Sequence, residues 1–553
     1  MEKIWLKNYP AGISPEIDTG SYKSLLDVFD ESCQKFSDQI AFKNMGVSLT
    51  YSELDKKATD FASFLQNELK LKKGDRIALQ MPNLLQFPVA AFGAFKAGLV
   101  VVNTNPLYTA PEMSHQFKDS GAKAIVILAN YGHLLEQVIK DTKIESVIVT
   151  ELGDLFHFPK NLLVNSVVKY VKKLVPAFNL PQAYTFQQAL QIGAFKPVKA
   201  VPIKPEDVAF LQYTGGTTGV SKGAILTHRN IISNMLQICS WMTPKLIPGK
   251  EICITALPLY HIFSLTVNCL SFMRYGAQNT LITNPRDIPA FIKDLKAEPF
   301  TILTGVNTLY NALMNHADFK TIDFSKTKIS VAGAMALQKV VAERWLNLTK
   351  TILVEGYGLT EASPVVCCNP IDGTDRVGTI GLPLPSTDVC LLDDNNKEVG
   401  FGEAGELCVK GPQVMQGYWN RDDETAKVFD QQGWLHTGDI ATVDETGFFK
   451  IVDRKKDMIL VSGFKVFPNE VEDAIASHPG VLEVAAVGIP DGHSGESVKV
   501  VIVKRDQNLT DKDVIDYARK SLTNYKVPKT VEFRTELPKT NVGKILRRAL
   551  RNP

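Results

Sequence analysis

Residues 452–459 read VDRKKDMI. Five charged residues in a row, the four from Asp453 to Lys456 and then Asp457, stand between an apolar segment patterned as a strand and the apolar stretch Met458–Val461. So abrupt a run of charge reads as a linker between two folded units. It divides the chain into 1–453 and 454–553, and the two sides are patterned differently. Up to about residue 450, helical patterns such as 54–69 alternate with short apolar segments, among them 76–81 (RIALQM), 124–129 (AIVILA), 301–306 (TILTGV) and 351–356 (TILVEG). Strands alternating with helices predict parallel α/β layers. Between 377 and 450 short strands are separated by Gly, Pro and Asp turns, which predicts a small antiparallel, barrel-like subdomain. Beyond the linker, strands at 485–489, 498–504 and 530–533 accompany helices at 468–477 and 510–523, enough for a separate α+β domain. The predicted class is therefore α/β, with a large domain of layered subdomains and a small α+β domain hinged to it.

A chain of 553 residues is too long for one core; length alone suggests roughly three or four compact units. The 61 basic and 59 acidic residues give a net charge of +2, so no bulk electrostatic argument favours a nucleic-acid partner. The charge is uneven: 454–553 holds 18 Lys/Arg against 13 Asp/Glu, leaving the remainder at −3. That pattern suits either a basic cover over a polyanionic substrate or an ordinary solvated surface. The eight cysteines are scattered, with no C-x-x-C pair, and read as reduced packing residues in a cytoplasmic protein. The start, MEKIWLKNYP, has no apolar signal core. The longest apolar stretch, Phe87–Val102, is broken by Lys96 and carries Pro88, Gly93 and Gly98, so it is a poor candidate to span a bilayer.

Four stretches carry the chemistry. Residues 211–230, LQYTGGTTGVSKGAILTHRN, crowd glycine and threonine around Lys222, which suits a backbone cradle for an anion. The Walker spacing is absent, because Ser221 precedes the lysine and Gly223 follows it. Residues 355–364, EGYGLTEASP, follow an apolar strand and set Tyr357 between two glycines, ahead of Thr360 and Glu361. Residues 434–439, WLHTGD, end in Asp439, and 537–550, LPKTNVGKILRRAL, present Lys544 behind Gly543. Singly, each residue has an ordinary structural reading as a core aromatic, a helix-end acid, a turn residue or a solvated lysine.

Together and in this order, the four stretches resemble the adenylate-forming superfamily of acyl-CoA synthetases, luciferases and peptide-synthetase adenylation domains. From Gly433 to Asp473 the chain is similar to fatty-acyl-CoA synthetases, and PNLLQFPVAAFGAFKAG, NPLYT, TALPLYHIF and TNPRDIP resemble the bacterial long-chain fatty-acid–CoA ligases. The resemblance covers essentially the whole chain. It implies ATP and CoA as co-substrates, a fatty acid as acyl donor, and Mg²⁺ held by Glu361. It assigns the phosphates to Thr214, Gly215, Gly216, Thr217, Thr218, Gly219 and Lys222, and the α-phosphate to Thr360. The adenine falls to Tyr357, Gly358 and, on its other side, the segment with Gly333; Asp439 and Arg454 take the ribose. Lys544 would stabilise the charge developing between carboxylate and α-phosphate. The C-terminal domain would then turn about a hinge nearest Lys456, withdrawing Lys544 and bringing Gly463 beside the path of the pantetheine arm. His261 stands where amino-acid-activating relatives commonly place an aspartate, which argues for an uncharged tail; Phe263 and Leu265 are candidate acyl-gate residues.

Two other activities compete: ligation of another apolar or aryl carboxylate to CoA, and a luciferase-like oxidation. One segment is left unexplained by any catalytic motif. In 162–175, LLVNSVVKYVKKLV, helical spacing gathers Asn165, Ser166, Lys169, Lys172 and Lys173 on one side and Val and Leu with Tyr170 on the other. Such a helix predicts either peripheral contact with the inner face of a membrane or packing on the protein or on a second subunit of a homodimer.

Overall fold

The computed structural model describes residues 2–214, 221–540 and 543–551. Two large sheets make up most of the N-terminal part. A seven-stranded sheet is built on parallel strands that include Arg76–Gln80, Val100–Asn103 and Val208–Thr214, and is closed at one edge by the antiparallel strand Lys222–Thr227. A nine-stranded sheet has a parallel centre, with Ile252–Thr255, Ile302–Gly305, Ile329–Ala332 and Leu353–Gly358 in adjoining positions, and antiparallel strands at both edges. The segments quoted above as strands are strands here. Their continuous apolar character follows from cover on both faces, because crossover helices occupy the faces of a parallel sheet.

The helix predicted at 54–69 spans Tyr51–Asn67, opened by a reciprocal Thr50–Glu53 cap. Helix His228–Met242 begins on a similar exchange between Thr227 and Asn230. The Asn230 amide also donates to the carbonyls of Pro412 (2.9 Å) and Val414 (2.8 Å), tying a distant loop to the start of this helix.

The turn-rich region forms a four-stranded antiparallel sheet, Asp388–Leu392, Gly405–Lys410, Leu435–Val443 and Phe449–Arg454, in sequence order. Its outer strands do not pair with each other among the described residues, so it is an open meander rather than a closed barrel. After the charged linker, a five-stranded sheet is organised around Gly495–Lys504, which pairs with Val481–Asp491 on one side and with Ile459–Val461 and Thr530–Arg534 besides, and helices Pro468–Ala476 and Asp511–Ala518 pack on it. Val466, Val471, Ile475, Val484, Val500 and Ile502 form a core of this domain's own. A separate core is what distinguishes it as a domain from the large one.

The segment 162–175 is helical in part. An α-helix over Lys160–Ser166 passes into a wider π turn over Val167–Val171, and Lys173, at φ +51°, ends it. Its orientation differs from the simple wheel. Asn165, on the polar side, faces the protein: its Oδ1 accepts from the Gly153 amide (2.7 Å) and its Nδ2 donates to Asp154 (3.3 Å). Leu163, Tyr170 and Val171 are 65%, 68% and 73% exposed, and Phe158 just before the helix is 79% exposed. No helix among the described residues is long and apolar enough to cross a membrane. All eight cysteines are buried and free.

Candidate active site

A cavity of about 1300 Å³ lies between the large domain and the C-terminal domain. Thr214 and Lys222 face each other across the antiparallel pair Val208–Thr214/Lys222–Thr227, at the base of the glycine-rich hairpin. Gly215, Gly216, Thr217, Thr218 and Gly219 lie outside the described residues. Both Thr214 and Lys222 line the cavity.

A segment that sequence reading overlooked is laid beside this hairpin. The Ile225 amide donates to Gly417 O (2.9 Å) and the Trp419 amide to Gly223 O (2.8 Å), so 417–419 runs along the strand that starts at Lys222. This places Tyr418 in the cavity, where its hydroxyl donates to Glu361 (2.7 Å) and its ring lies 4.9 Å from the Lys222 ammonium. Lys222 is in turn ion-paired to Glu424, whose carboxyl Lys222 and Lys427 pull down to about 2. The only sequence signal was the tripeptide GYW at 417–419, an aromatic pair after a glycine.

Glu361 sits in a single helical turn, Thr360–Ala362, directly after strand Leu353–Gly358. Its carbonyl accepts from the Met415 amide (2.7 Å), which fixes the turn from behind. No group of three His, Cys, Asp or Glu side chains that could hold a metal occurs among the described residues. One carboxylate, Glu361, lining the same cavity as Lys222 would nevertheless fit Mg²⁺, which commonly takes one or two protein carboxylates and completes its shell with phosphate oxygens and water.

Asp439 and Arg454 are cross-strand partners on Leu435–Val443 and Phe449–Arg454, with Nε to Oδ1 at 3.4 Å. The other Asp439 oxygen accepts the Tyr357 hydroxyl at 2.6 Å, so the residues assigned to adenine and ribose are already joined. Gly333 and Gly358 also line the cavity.

The lining also has an apolar part, Ile238, Trp241 and Met242 from one helix together with Val267, Val331 and Leu384. Trp241 is held in place by donating its indole N–H to Asn369 O (3.0 Å) and by an edge contact with Tyr9 at 5.2 Å. His261 lines the cavity too; burial, and then the Lys544 charge, push its pKa down to about 4, so its ring is neutral. Phe263 lines the cavity, but Leu265 does not: it is buried in the core. Residues 264–271 form a π-helix, whose wider turn brings Val267 to the cavity instead.

Lys544 arrives from the C-terminal domain. Its amide donates to Thr540 Oγ1 (3.1 Å) within a tight reversal, and Gly543 O accepts from Thr308 Oγ1 of the large domain (3.1 Å). Gly543 has φ +82°, and a Cβ there would come within 2.9 Å of Thr308, so only glycine seats this loop. Burial lowers the Lys544 pKa to about 7, with Arg454 adding to the effect and Asp439 opposing it. Lys456 also lines the cavity, and burial lowers it to about 8. Gly463 is elsewhere. It occupies the exposed tip of the hairpin Ile459–Val461/Phe464–Val466 at φ +84°, outside the cavity lining.

Residues 29–419 match the family of AMP-binding enzymes, and residues 470–544 match the AMP-binding enzyme C-terminal domain. The chain is 56% identical to a long-chain-fatty-acid–CoA ligase of Escherichia coli O157:H7, over 100% of this chain and 98% of that protein. It is 38% identical to a long-chain-fatty-acid–CoA ligase of Bacillus subtilis, over 99% and 98%. Among solved structures, the anthranilate CoA ligase AuaEII in complex with anthranoyl-AMP shares the fold, with a TM-score of 0.85 and 23% identity over 97% of this chain and 98% of that one.

Proposed function

The chain belongs to the family of AMP-binding enzymes and to its long-chain-fatty-acid–CoA ligases, and from that membership we propose that it joins a long-chain fatty acid to coenzyme A, driven by ATP, in two half-reactions. A carboxylate is a poor electrophile. One of its oxygens attacks the α-phosphorus, pyrophosphate leaves, and an acyl-adenylate forms. The thiol of CoA then attacks the acyl carbon, loses its proton to solvent, and AMP leaves. The observation that carries this reading is the shared cavity: Lys222, Glu361 and Lys544, from three distant parts of the chain, open onto one space whose lining has an apolar part.

Lys222 and the stretch Thr214–Gly219 take the β- and γ-phosphates, and Thr360 donates to the α-phosphate. Glu361 would hold Mg²⁺, which when bound neutralises phosphate charge. Tyr357 lies against the adenine, and Asp439 with Arg454 takes the ribose hydroxyls. Neutral His261 and the apolar lining with Trp241 favour an uncharged acyl tail. Gly463 comes to the site when the C-terminal domain turns about Lys456. Measuring CoA thioester formation with saturated acids from short to very long tests this reading. A rate that peaks at long chains supports it, and a preference for aryl acids overturns the substrate class.

The exposed apolar side of helix 160–171, flanked by Lys169, Lys172 and Lys173, is suited to an anionic lipid surface from which a long-chain acid could be taken up. Co-sedimentation with anionic vesicles should occur at low salt and weaken as salt rises. Replacing the three lysines with glutamate should abolish it while sparing activity on detergent-dispersed acid. Unchanged sedimentation overturns lipid docking, and a concentration-dependent dimer lost on Tyr170→Asp would assign the face to a second copy of the chain.

A further inference from the structure

Three residues beyond Lys544, Arg547 is bound into a cluster that spans the linker. Its Nε donates to Glu472 Oε1 (2.9 Å), one terminal nitrogen to Asp453 Oδ1 (3.0 Å), and the other to Glu472 Oε2 (2.7 Å) and Asn469 Oδ1. Asp453 Oδ2 accepts in addition from the Asn469 amide (2.8 Å), in the first turn of helix Pro468–Ala476, and the Asn469 side chain donates to Val452 O (3.2 Å). The Asp453 side chain is fully buried and that of Arg547 is 16% exposed. Burial and the neighbouring acid raise the Asp453 pKa, while the Arg547 charge opposes that rise.

The partners divide at the linker. Asp453 closes the last meander strand of the large domain, Phe449–Arg454. Asn469, Glu472 and Arg547 belong to the C-terminal domain. Rotation about Lys456 leaves Glu472 and Arg547 together, because both travel with the small domain, and parts Arg547 from Asp453. The Arg547–Glu472 bonds are therefore internal to the moving body. The bonds to Asp453 exist in one orientation only, the one that holds Lys544 in the cavity.

Resting on the two-step reading above, we propose that Arg547 and Asp453 form a clasp that selects the adenylate-forming orientation of the C-terminal domain. Arg547 is a positioning residue: its guanidinium nitrogens are taken up by Glu472, Asp453 and Asn469, and it acts by fixing where Lys544 stands. The planar guanidinium is needed because it serves two carboxylates at once. Asp453 is buried in this orientation with Arg547 as its charge partner, so turning the domain away breaks two charged hydrogen-bonded contacts at once, those from Arg547 and from the Asn469 amide. Binding of CoA must outweigh that cost, which keeps the domain on the adenylating side until the acyl-adenylate is made.

The test separates the half-reactions. Arg547→Gln and Asp453→Asn should each slow ATP–pyrophosphate exchange by about 10- to 100-fold, the range for losing charged hydrogen bonds. Transfer from preformed acyl-adenylate to CoA should change by less than about twofold. The double variant should be no worse than the poorer single one, because both remove the same contact. Arg547→Lys, which keeps the charge and loses the fork, should fall in between. A donor–acceptor dye pair across the two domains reads the orientation without any chemistry: the variants should shift toward the open distance. Equal loss in both half-reactions, or an unmoved dye distance, overturns the clasp. A parent enzyme with no pyrophosphate exchange would instead overturn the two-step reading itself.

Discussion

At the phosphate end of the cavity Lys222 meets a carboxylate, Glu424, and lies against the Tyr418 ring; at the lid end Lys544 is crowded by Arg454, Lys456 and Arg547, with Asp439 as the opposing charge. The first lysine is neutralised by its own scaffold before any substrate binds. The second is delivered by a separate domain into surroundings that resist its charge. The contrast follows from what each must do. A phosphate-binding lysine on a fixed strand must stay soluble and oriented between turnovers, and a counter-ion does both. A lysine that visits the site in one orientation gains selectivity if its charge is welcome only when an anion is present to meet it.

The largest expected effect is at the lid end. Lys544→Ala should lower the rate of adenylate formation by ~10²–10³-fold, the usual result of removing one charge-stabilising donor, and leave transfer of a preformed acyl-adenylate within a few fold. Separate assays of the two half-reactions decide it. Equal losses would mean that Lys544 is as fixed as Lys222, and the contrast would fail.

Gly463 sharpens the same point from the other half-reaction. Its φ of +84° at a hairpin tip gives glycine a purely conformational reason to be there. Asparagine tolerates this backbone region far better than leucine does. Gly463→Asn should therefore keep the turn yet place a side chain beside the pantetheine path, slowing thioester formation by about tenfold while adenylation proceeds. If Gly463→Asn makes thioester at the parent rate, the glycine serves the turn alone.

Much of this layout was legible in the sequence. Alternating strands and helices gave the layered domain, and the charge run at Asp453–Lys456 marked the change of architecture. What could not be read is set by contacts between distant segments. Tyr418 reaches Glu361 because 417–419 lies along a strand nearly two hundred residues earlier. Arg547 and Asp453 are 94 residues apart. Direction was equally hidden: helical spacing separates the two faces of 162–175 without saying which one docks, and of the polar side Asn165 alone turns inward while Ser166 and the three lysines stay exposed. Leu265 missed the cavity because a π-helix shifts the register that ordinary spacing assumes.

A further difference between the two ends is their response to pH. With its pKa held near 7 in the free protein, Lys544 is largely neutral at pH 8 in this orientation. A nearby polyphosphate restores the charge, so ATP binding should take up protons at pH 8, the larger share at Lys544 and a smaller one at Lys456, which is lowered only to about 8, and almost none at pH 6, where both amines are already charged. The sign for the orientation itself follows from the same shift. Between about pH 7 and the unperturbed value of 10.5, the state with Lys544 buried holds fewer protons than the state with it in water, so rising pH favours burial. Calorimetry in buffers of different ionisation enthalpy measures the uptake, and Lys544→Ala should remove most of it. Undiminished uptake in that variant would assign the protons to another group.

The smallest effect belongs to the phosphate end and concerns Glu424. It sits in the first turn of helix Asp422–Val428, and Lys222 and Lys427 both donate to it. The Lys222 and Glu424 side chains are 24% and 26% exposed, so solvent screens their attraction, and pairs of this kind contribute little. ATP must displace Glu424 to engage Lys222. Removing the competing charge in Glu424→Gln should therefore tighten ATP binding, by only about two- to fivefold, and the gain should shrink as salt is added. The opposite outcome is also informative. A weaker affinity in Glu424→Gln would mean that the carboxylate does not compete with phosphate but aims the Lys222 ammonium at it, with the Tyr418 ring as the second guide. The phosphate end would then depend on positioning from outside the site, as the lid end depends on Asp453 and Arg547.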